Sequence, residues 1–487
     1  MIFRSVLKEF TTFKRFEKIA GLKPPFLTRQ LYFFLASVAI AVGLVYVLKG
    51  DTLPRQSVFM AGIFVLSALL WMTEALPLFA TSILIVGLEI LLLANPGNWP
   101  GLGFEGINSP DYTAFLAPIA NPVIVLFFGG FLLAQAVVKE GVDKTLAGII
   151  LRLFGEKPMM VLLGVMLVTA VFSMWMSNTA TTAMMVTLVV PMMAQVPEGD
   201  PIRKGLLLAV PFSANIGGIG TPIASPPNAV AYSMLANEGY PISFLHWVLI
   251  AVPLMLFLLL LTWLLLYSTY KPLHDDIVFK PQKNKIETRG WYVITVLVFT
   301  VLLWLTESIH GLSSAIVALV PAIAFTATGL LTRQDVNSLD WHILILIIGG
   351  IALGDGMRIT GLDSVLVNMI PKEGAYIMVG IIVTTLVFST FISNTAAANL
   401  ILPIGISYAM ENMASTNNAP IQVGMSIALA ASLAMALPIS TPPNTIAYVK
   451  GELVSKDFIR NGVIIGVLSL MLIYAFGGYI INFWLSL

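Results

Sequence analysis

Two short stretches carry neutral polar side chains into very apolar surroundings. Residues 172–182 read FSMWMSNTATT and residues 388–398 read FSTFISNTAAA. Ser173 stands four before Ser177, and Ser389 four before Ser393, so on a helix each pair shares a face. Ser and Asn oxygens suit a hard cation, while Asn and Thr can also donate to a carboxylate. Forty-eight residues beyond each cluster comes a second polar motif, SPPNAVAY at 225–232 and TPPNTIAY at 441–448. Adjacent prolines delete backbone donors and release carbonyls four residues earlier. In lipid such a break survives only where protein or a cavity satisfies the loosened backbone. Gly217, Gly218 and Gly220 loosen the first copy further. Each break therefore offers bare carbonyls to a cation such as sodium and a new helix N-terminus to an anion.

The elements that must hold these motifs are membrane helices. The chain has 487 residues, 58% of them hydrophobic and 10% charged, where a soluble domain carries about 25% charged residues. Runs such as 31–48 and 247–267 have the length of a bilayer crossing, about 20 residues. Alternating ten-residue strand patterns are absent, which argues against a β-barrel. The fold class expected is an all-α polytopic membrane protein. Its eleven transmembrane spans lie near 31–48, 57–75, 77–94, 122–138, 205–236, 246–270, 291–308, 312–331, 341–357, 422–449 and 461–486. Two more apolar stretches, 159–193 and 376–410, are too long for one crossing and have an SNT cluster near the middle, so they read as re-entrant hairpins. With both hairpins returning to their own side, 22 of the 26 Lys and Arg fall on the side of the N-terminus. The positive-inside rule then makes the N-terminus cytoplasmic and the C-terminus external. There is no cysteine, hence no disulfide or thiol chemistry. A net charge of +1 points to no nucleic-acid partner.

The chain also repeats itself. LLWMTE (69–74) answers LLWLTE (302–307), FFGG (127–130) answers IIGG (347–350), and both SNT and the Pro-Pro-Asn motif recur at an offset of 216. Five spans separate the starts of the two copies, and an odd number inverts the second. Inverted-topology repeats mark secondary transporters, with the substrate near the midplane where the copies meet. Small polar residues also serve as packing glue between membrane helices. Two copies in register with two breaks at the same separation favour a ligand instead. No Lys or Arg falls within the four polar motifs, so a dianion there would meet only dipoles. Its desolvation cost calls for co-bound cations, and more than one sodium ion is expected. Glu74 and Glu307, at matched span ends, read as interfacial caps rather than proton relays. Glu89 and Asp355 sit inside spans without an assigned role, and His246, His274, His310 and His342 form no cluster in the sequence. An intramembrane enzyme lacks support, because the SNT serines have no His or Lys base nearby in sequence. No symmetric filter signal suggests a channel.

Paired SNT clusters, each followed by a Ser/Thr-Pro-Pro-Asn break, resemble the divalent anion:sodium symporter family, which includes sodium-coupled di- and tricarboxylate carriers and bacterial INDY-type proteins. The resemblance covers 31–487. It implies a homodimer in the lipid bilayer, in the plasma (inner) membrane. After a cytoplasmic segment 1–30, a scaffold domain would comprise 31–158 and 291–375. A transport domain of 159–290 and 376–487 would slide as an elevator. One sodium site would use Ser173, Ser177 and Asn178 with carbonyls near Ala224; the other would use Ser389, Ser393 and Asn394 with carbonyls near Ser440. Substrate carboxylates would contact Asn178, Thr179, Asn394 and Thr395, with Ser225, Thr441 and Pro442 nearby. Ala224 stands where Gly is frequent in sodium-coupled members, and Ser389 where Thr also occurs. Both changes keep the relevant oxygen. The implied function is sodium-coupled symport of a C4-dicarboxylate such as succinate, malate or fumarate. The alternatives are a sodium-independent dicarboxylate exchanger and a citrate- or sulfate-preferring relative.

Overall fold

Apolar sequence becomes helix throughout the computed structural model, which describes residues 24–50, 53–105, 109–277, 285–371, 376–413 and 418–486; among them no strand occurs. Residues 1–23 of the expected cytoplasmic segment, 278–284 of the basic loop, and Lys372 lie outside the described residues. The chain divides into two compact units at Tyr112.

The first unit contains α1 (Pro24–Leu48), α2 (Arg55–Thr73) and α3 (Leu78–Glu89), which ends in a π turn, Ile90–Ala94. Helix α1 packs on α2, and α2 on α3. Trp71 is fully buried and its indole N–H donates to the Leu78 carbonyl at 3.2 Å, tying the end of α2 to the start of α3. Helix α1 leaves Tyr46 81% and Val47 78% exposed, as a lipid-facing helix does.

The second unit holds both SNT clusters and both Pro-Pro-Asn motifs. After the short helical turns Tyr112–Leu116 and Ala117–Ala120 come α4 (Pro122–Lys139), α5 (Val142–Arg152), α6 (Pro158–Ser173) and α7 (Asn178–Met193). Next come α8 (Ile202–Gly217), α9 (Pro226–Asn237), α10 (Phe244–Thr269) and α11 (Thr288–Leu305). Then follow α12 (Ser314–Ala327), α13 (Trp341–Thr360), α14 (Leu362–Val367), α15 (Tyr376–Phe391) and α16 (Asn394–Asn412). The chain finishes with α17 (Ala419–Ser432), α18 (Pro442–Tyr448) and α19 (Ser455–Leu485). Proline at the first helical turn starts α4, α6, α9 and α18, where its missing N–H is no loss.

Seven of the described helices have the length and apolarity of a bilayer crossing, fewer than the eleven spans expected. Four expected spans account for the difference: 77–94 is the shorter apolar helix Leu78–Ala94, and the other three are broken. The stretches 205–236 and 422–449 are each two short helices separated by non-helical backbone, and 312–331 is interrupted at Ala318. The stretches 159–193 and 376–410 are each two helices joined by a short turn and packed on each other, α6 with α7 and α15 with α16. Helices of 16 residues such as α6 and α7 reach about 24 Å, short of a hydrocarbon core of about 30 Å.

One ion pair fastens α4 to the short helix Arg333–Asn337 that precedes α13. Lys139 Nζ donates to Asp335 Oδ2 at 2.6 Å, and Thr332 donates to the same oxygen from both its N–H and its hydroxyl, each at 2.7 Å. Lys139, with Thr332, holds the Asp335 carboxyl down at about 2. A depressed carboxylate contributes stability above its ordinary value and loses it as pH falls through the folded one. The melting difference between wild type and Asp335→Asn should therefore be constant above pH 5 and shrink between about 4 and 2. Its size should stay under about 1 kcal/mol, because the pair reaches solvent. Thermal unfolding across that pH range checks it.

Candidate substrate and cation site

The first helix pair turns at Met174–Ser177. Ser177 caps α7, its hydroxyl accepting from the Ala180 N–H at 3.3 Å. The second pair repeats this: Ser393 caps α16 and accepts from the Ala396 N–H at 3.1 Å. Each tip thus ends in a helix N-terminus with an Asn as its first residue, Asn178 or Asn394. Free N–H groups and the helix dipole make such an end attractive to an anion.

Beside each tip, oxygens crowd together. Ser173 Oγ lies 2.7 Å from Asn178 Oδ1 and 2.8 Å from the Ala214 carbonyl. Ser389 Oγ lies 2.9 Å from Asn394 Oδ1 and 2.6 Å from the Ala431 carbonyl. One hydroxyl carries one hydrogen, so it cannot serve two acceptors at once. Both serines are fully buried. Three neutral oxygens sharing a single proton form a donor set that suits an alkali cation arriving as co-substrate.

The breaks are held open by the Pro-Pro-Asn asparagines. Asn228 Nδ2 donates to the Gly218 and Thr221 carbonyls at 3.0 and 2.9 Å, and Asn444 Nδ2 to those of Met435 and Leu437 at 2.9 and 2.8 Å. Carbonyls of the unwound backbone are thus partnered inside the protein, as a buried break requires, and Thr445 Oγ1 donates to the proline-released Pro438 carbonyl at 3.0 Å. Each break is also tied to its neighbouring tip. Thr221 Oγ1 donates to the Met174 carbonyl at 2.5 Å, and Ser440 Oγ to that of Thr390 at 3.0 Å.

The two copies then interlock. Helix α8 packs on α18, and α17 on α9. Asn215 Nδ2 donates to Thr441 Oγ1 at 3.1 Å and Asn444 Oδ1 at 3.4 Å. Ser225 and Ser432 share a hydrogen bond at 3.0 Å. Asn215 directly follows Ala214, and Ser432 follows Ala431. A chain of hydrogen bonds and single residue steps therefore runs from each SNT tip to the opposite copy's break. Arg203 pairs with Glu452 and Lys204 with Asp457, pinning the start of α8 to the first turn of α19 and the residues just before it.

The structure accordingly places Ser173, Asn178 and Thr441 along one bonded chain and Ser389, Asn394 and Ser225 along another. Ser177 and Ser393 serve as helix caps at the two tips. Ala224 and Ser440 lie inside the breaks, while the carbonyls beside the Ser–Asn pairs belong to Ala214 and Ala431. Thr179 and Pro442 are exposed, whereas Thr395 is buried. The tips also differ in support. Trp175 stacks on Phe244 and Trp304, with centroids 6.2 and 6.3 Å away, whereas Phe391, its counterpart at offset 216, is 74% exposed.

Sequence reasoning missed Asn215, Ser432, Ala214 and Ala431. It also missed that Glu307 lines one cavity with His246, Ser313 and Ser314. Glu307 thus stands beside the starts of α10 and α12. Glu74 is exposed at the end of α2. Asp355 pairs with Arg358 at 3.4 Å.

Comparison with known proteins decides the family. The profile of the sodium:sulfate symporter transmembrane region matches residues 28–487. The chain belongs to this family, the divalent anion:sodium symporters. It is an integral membrane transporter, not an enzyme. An uncharacterized transporter of Haemophilus influenzae is 32% identical, over 90% of this chain and 94% of its own. The sodium-dependent dicarboxylate transporter SdcS of Staphylococcus saprophyticus is 29% identical, over 87% of this chain and 86% of its own. The inorganic phosphate transporter PHO87 of Saccharomyces cerevisiae is 31% identical over 95% of this chain. The chain spans about half the length of PHO87 and of a matching Schizosaccharomyces pombe transporter. Among solved structures, the YdaH transporter of Alcanivorax borkumensis shares the fold, with a TM-score of 0.57 at 13% identity, over 88% of this chain and 99% of the other.

Proposed function

We propose that this symporter carries C4-dicarboxylates such as succinate, malate or fumarate inward with more than one sodium ion. The observation that carries the reading is the pair of tips. Each joins a helix N-terminus, suited to one carboxylate, to a crowded Ser–Asn–carbonyl oxygen set, suited to one cation. Asn178, Thr179, Asn394 and Thr395 would face the substrate with Ser225, Thr441 and Pro442. Ser173, Ser177, Ser389 and Ser393, with the two asparagines and backbone at Ala224 and Ser440, would face sodium. Cations beside the dianion offset its desolvation where no Lys or Arg stands in the motifs. We read the two copies as inverted repeats. Segments 159–290 and 376–487 move as an elevator against a scaffold of 31–158 and 291–375, in a homodimer of the plasma membrane with the N-terminus cytoplasmic and the C-terminus outside.

A second reading, phosphate as the dianion, is favoured by the PHO87 relative. Two separated N-termini match charges at two ends of a molecule better than the single centre of phosphate. Labelled succinate uptake into proteoliposomes, with and without an inward sodium gradient and with citrate, phosphate or sulfate as competitor, tests these readings. Sodium-driven uptake that phosphate leaves unchanged, and that unlabelled fumarate added as a further competitor blocks, is expected. Uptake that ignores sodium and needs internal dicarboxylate would establish exchange instead.

Gly218 offers a second test. A Cβ there would sit 2.5 Å from the Asn178 carboxamide. Gly218→Ala must push Asn178 away from Ser173 and should raise the sodium concentration for half-maximal uptake about tenfold, roughly one charge-assisted contact. A sodium titration of uptake reads it.

A further inference from the structure

The two breaks are alike in sequence but not in the direction of their hydrogen bonds. Asn444 Nδ2 is committed to the Met435 and Leu437 carbonyls, which leaves its Oδ1 as an acceptor. The Asn215 group lying 3.4 Å from that oxygen must therefore be its amide nitrogen, and the same nitrogen lies 3.1 Å from Thr441 Oγ1. Thr441 Oγ1 also accepts from the Asn444 N–H at 3.3 Å. Both lone pairs of this hydroxyl are then engaged by donors. Its own hydrogen finds no acceptor among the described residues, although Thr441 is only 2% exposed. A buried donor left without an acceptor is costly unless a ligand completes it.

The first copy is arranged otherwise. Ser225 occupies the place of Thr441, but its hydroxyl makes no helix cap. Its partner is the Ser432 hydroxyl at 3.0 Å, and either can donate. Ser432 holds the place that Asn215 holds in the other copy, since both directly follow the alanine whose carbonyl meets the Ser–Asn pair.

We propose that Asn215 is a positioning residue for substrate specificity: it forces the Thr441 hydroxyl to act as a donor toward the anionic substrate, while the Ser225–Ser432 pair leaves the first copy uncommitted. This rests on reading Thr441 as a substrate contact. The dicarboxylate is thus held asymmetrically, with an obligatory hydroxyl donor at one end only. Replacing Asn215 by an apolar residue frees Asn444 Oδ1 to capture the Thr441 hydrogen, and the substrate loses that donor without losing the Thr441 side chain.

The test is a double-mutant cycle on the reconstituted full chain, with succinate as the probe. Thr441→Val should raise KM about tenfold, the loss of one hydrogen bond to a charged group. Asn215→Leu should raise KM to a similar extent with kcat and the sodium activation curve little changed. The double variant should be no worse than Thr441→Val, because Asn215 acts through that hydroxyl. Asn215→Ser, which copies Ser432 and perturbs packing least, should give a smaller rise and serves where Asn215→Leu does not fold. An unchanged KM in the Asn215 variants, or an effect that adds to Thr441→Val, would overturn the proposal and leave the dicarboxylate reading intact. An active Thr441→Val with wild-type KM would remove Thr441 from the substrate site and take the proposal with it.

Discussion

Alanine at Asn178 or at Asn394 is expected to lower sodium-driven uptake about a hundredfold in protein that still folds. Each asparagine stands at the meeting of two demands. Its Oδ1 lies within 2.9 Å of the buried Ser173 or Ser389 hydroxyl, beside a backbone carbonyl, where a cation would be held. Its amide stands on the first turn of a helix, where an anion would be held. Losing one contact to each of two charged ligands, at about 1.5 kcal/mol or more apiece, gives roughly the stated factor. Folding should survive because the helix cap is a different residue: the Ser177 and Ser393 hydroxyls accept the Ala180 and Ala396 N–H groups. Ser177→Ala and Ser393→Ala make the contrasting pair. They remove a cap worth about 1 kcal/mol, so their loss of uptake should come with a lower melting temperature. Uptake and sodium-dependent thermal shift measured on all four variants separate the two roles. Near-normal transport by either asparagine variant would count against the whole site.

The tips were legible in the sequence because three independent signals coincide there: an apolar stretch too long for one crossing, a small polar cluster at its middle, and a second copy at offset 216. The breaks were legible because Pro-Pro cannot continue a helix. The pairing between copies was not, for a reason visible in the backbone. Asn228 reaches the carbonyls of Gly218 and Thr221, and Asn444 those of Met435 and Leu437. The first copy thus has one more residue between its two carbonyls than the second. Before that point, in α8 and α17, the true offset is 217, so Asn215 corresponds to Ser432, while matching at 216 sets it against Ala431. An Asn facing an Ala carries no repeat signal. The same slip hid Ala214 and Ala431, while the carbonyls near Ala224 and Ser440 came from the family resemblance. The cluster around Glu307 was hidden differently. His246, Glu307 and Ser314 come from three separate helical segments, and nothing in their spacing announces the meeting.

Gly217 shows how a correctly noticed residue can be given the wrong work, and it carries the largest stability effect expected here. In the sequence GGIG it reads as a loosener of the break. In the structure it is the last residue of α8, fully buried, and a Cβ there would sit 2.6 Å from the Ala170 Cα and 2.8 Å from its carbonyl carbon. The obstacle is backbone, which cannot rotate away as a side chain can. Gly217 is therefore what lets α6 and α8 approach closely enough for Ser173, one turn beyond Ala170, to reach the Ala214 carbonyl. Gly217→Val should cost about 3 kcal/mol through overpacking. Because the strain falls on the same helix crossing as the Ser173 contact, it should also abolish stabilisation by sodium. Gly87→Ala in α3, with no atom within 4 Å of the added carbon, should leave both properties near wild type. Melting temperatures with and without sodium decide the matter. A Gly217→Val protein that melts normally and keeps its sodium shift would mean that α6 and α8 are not held this closely together.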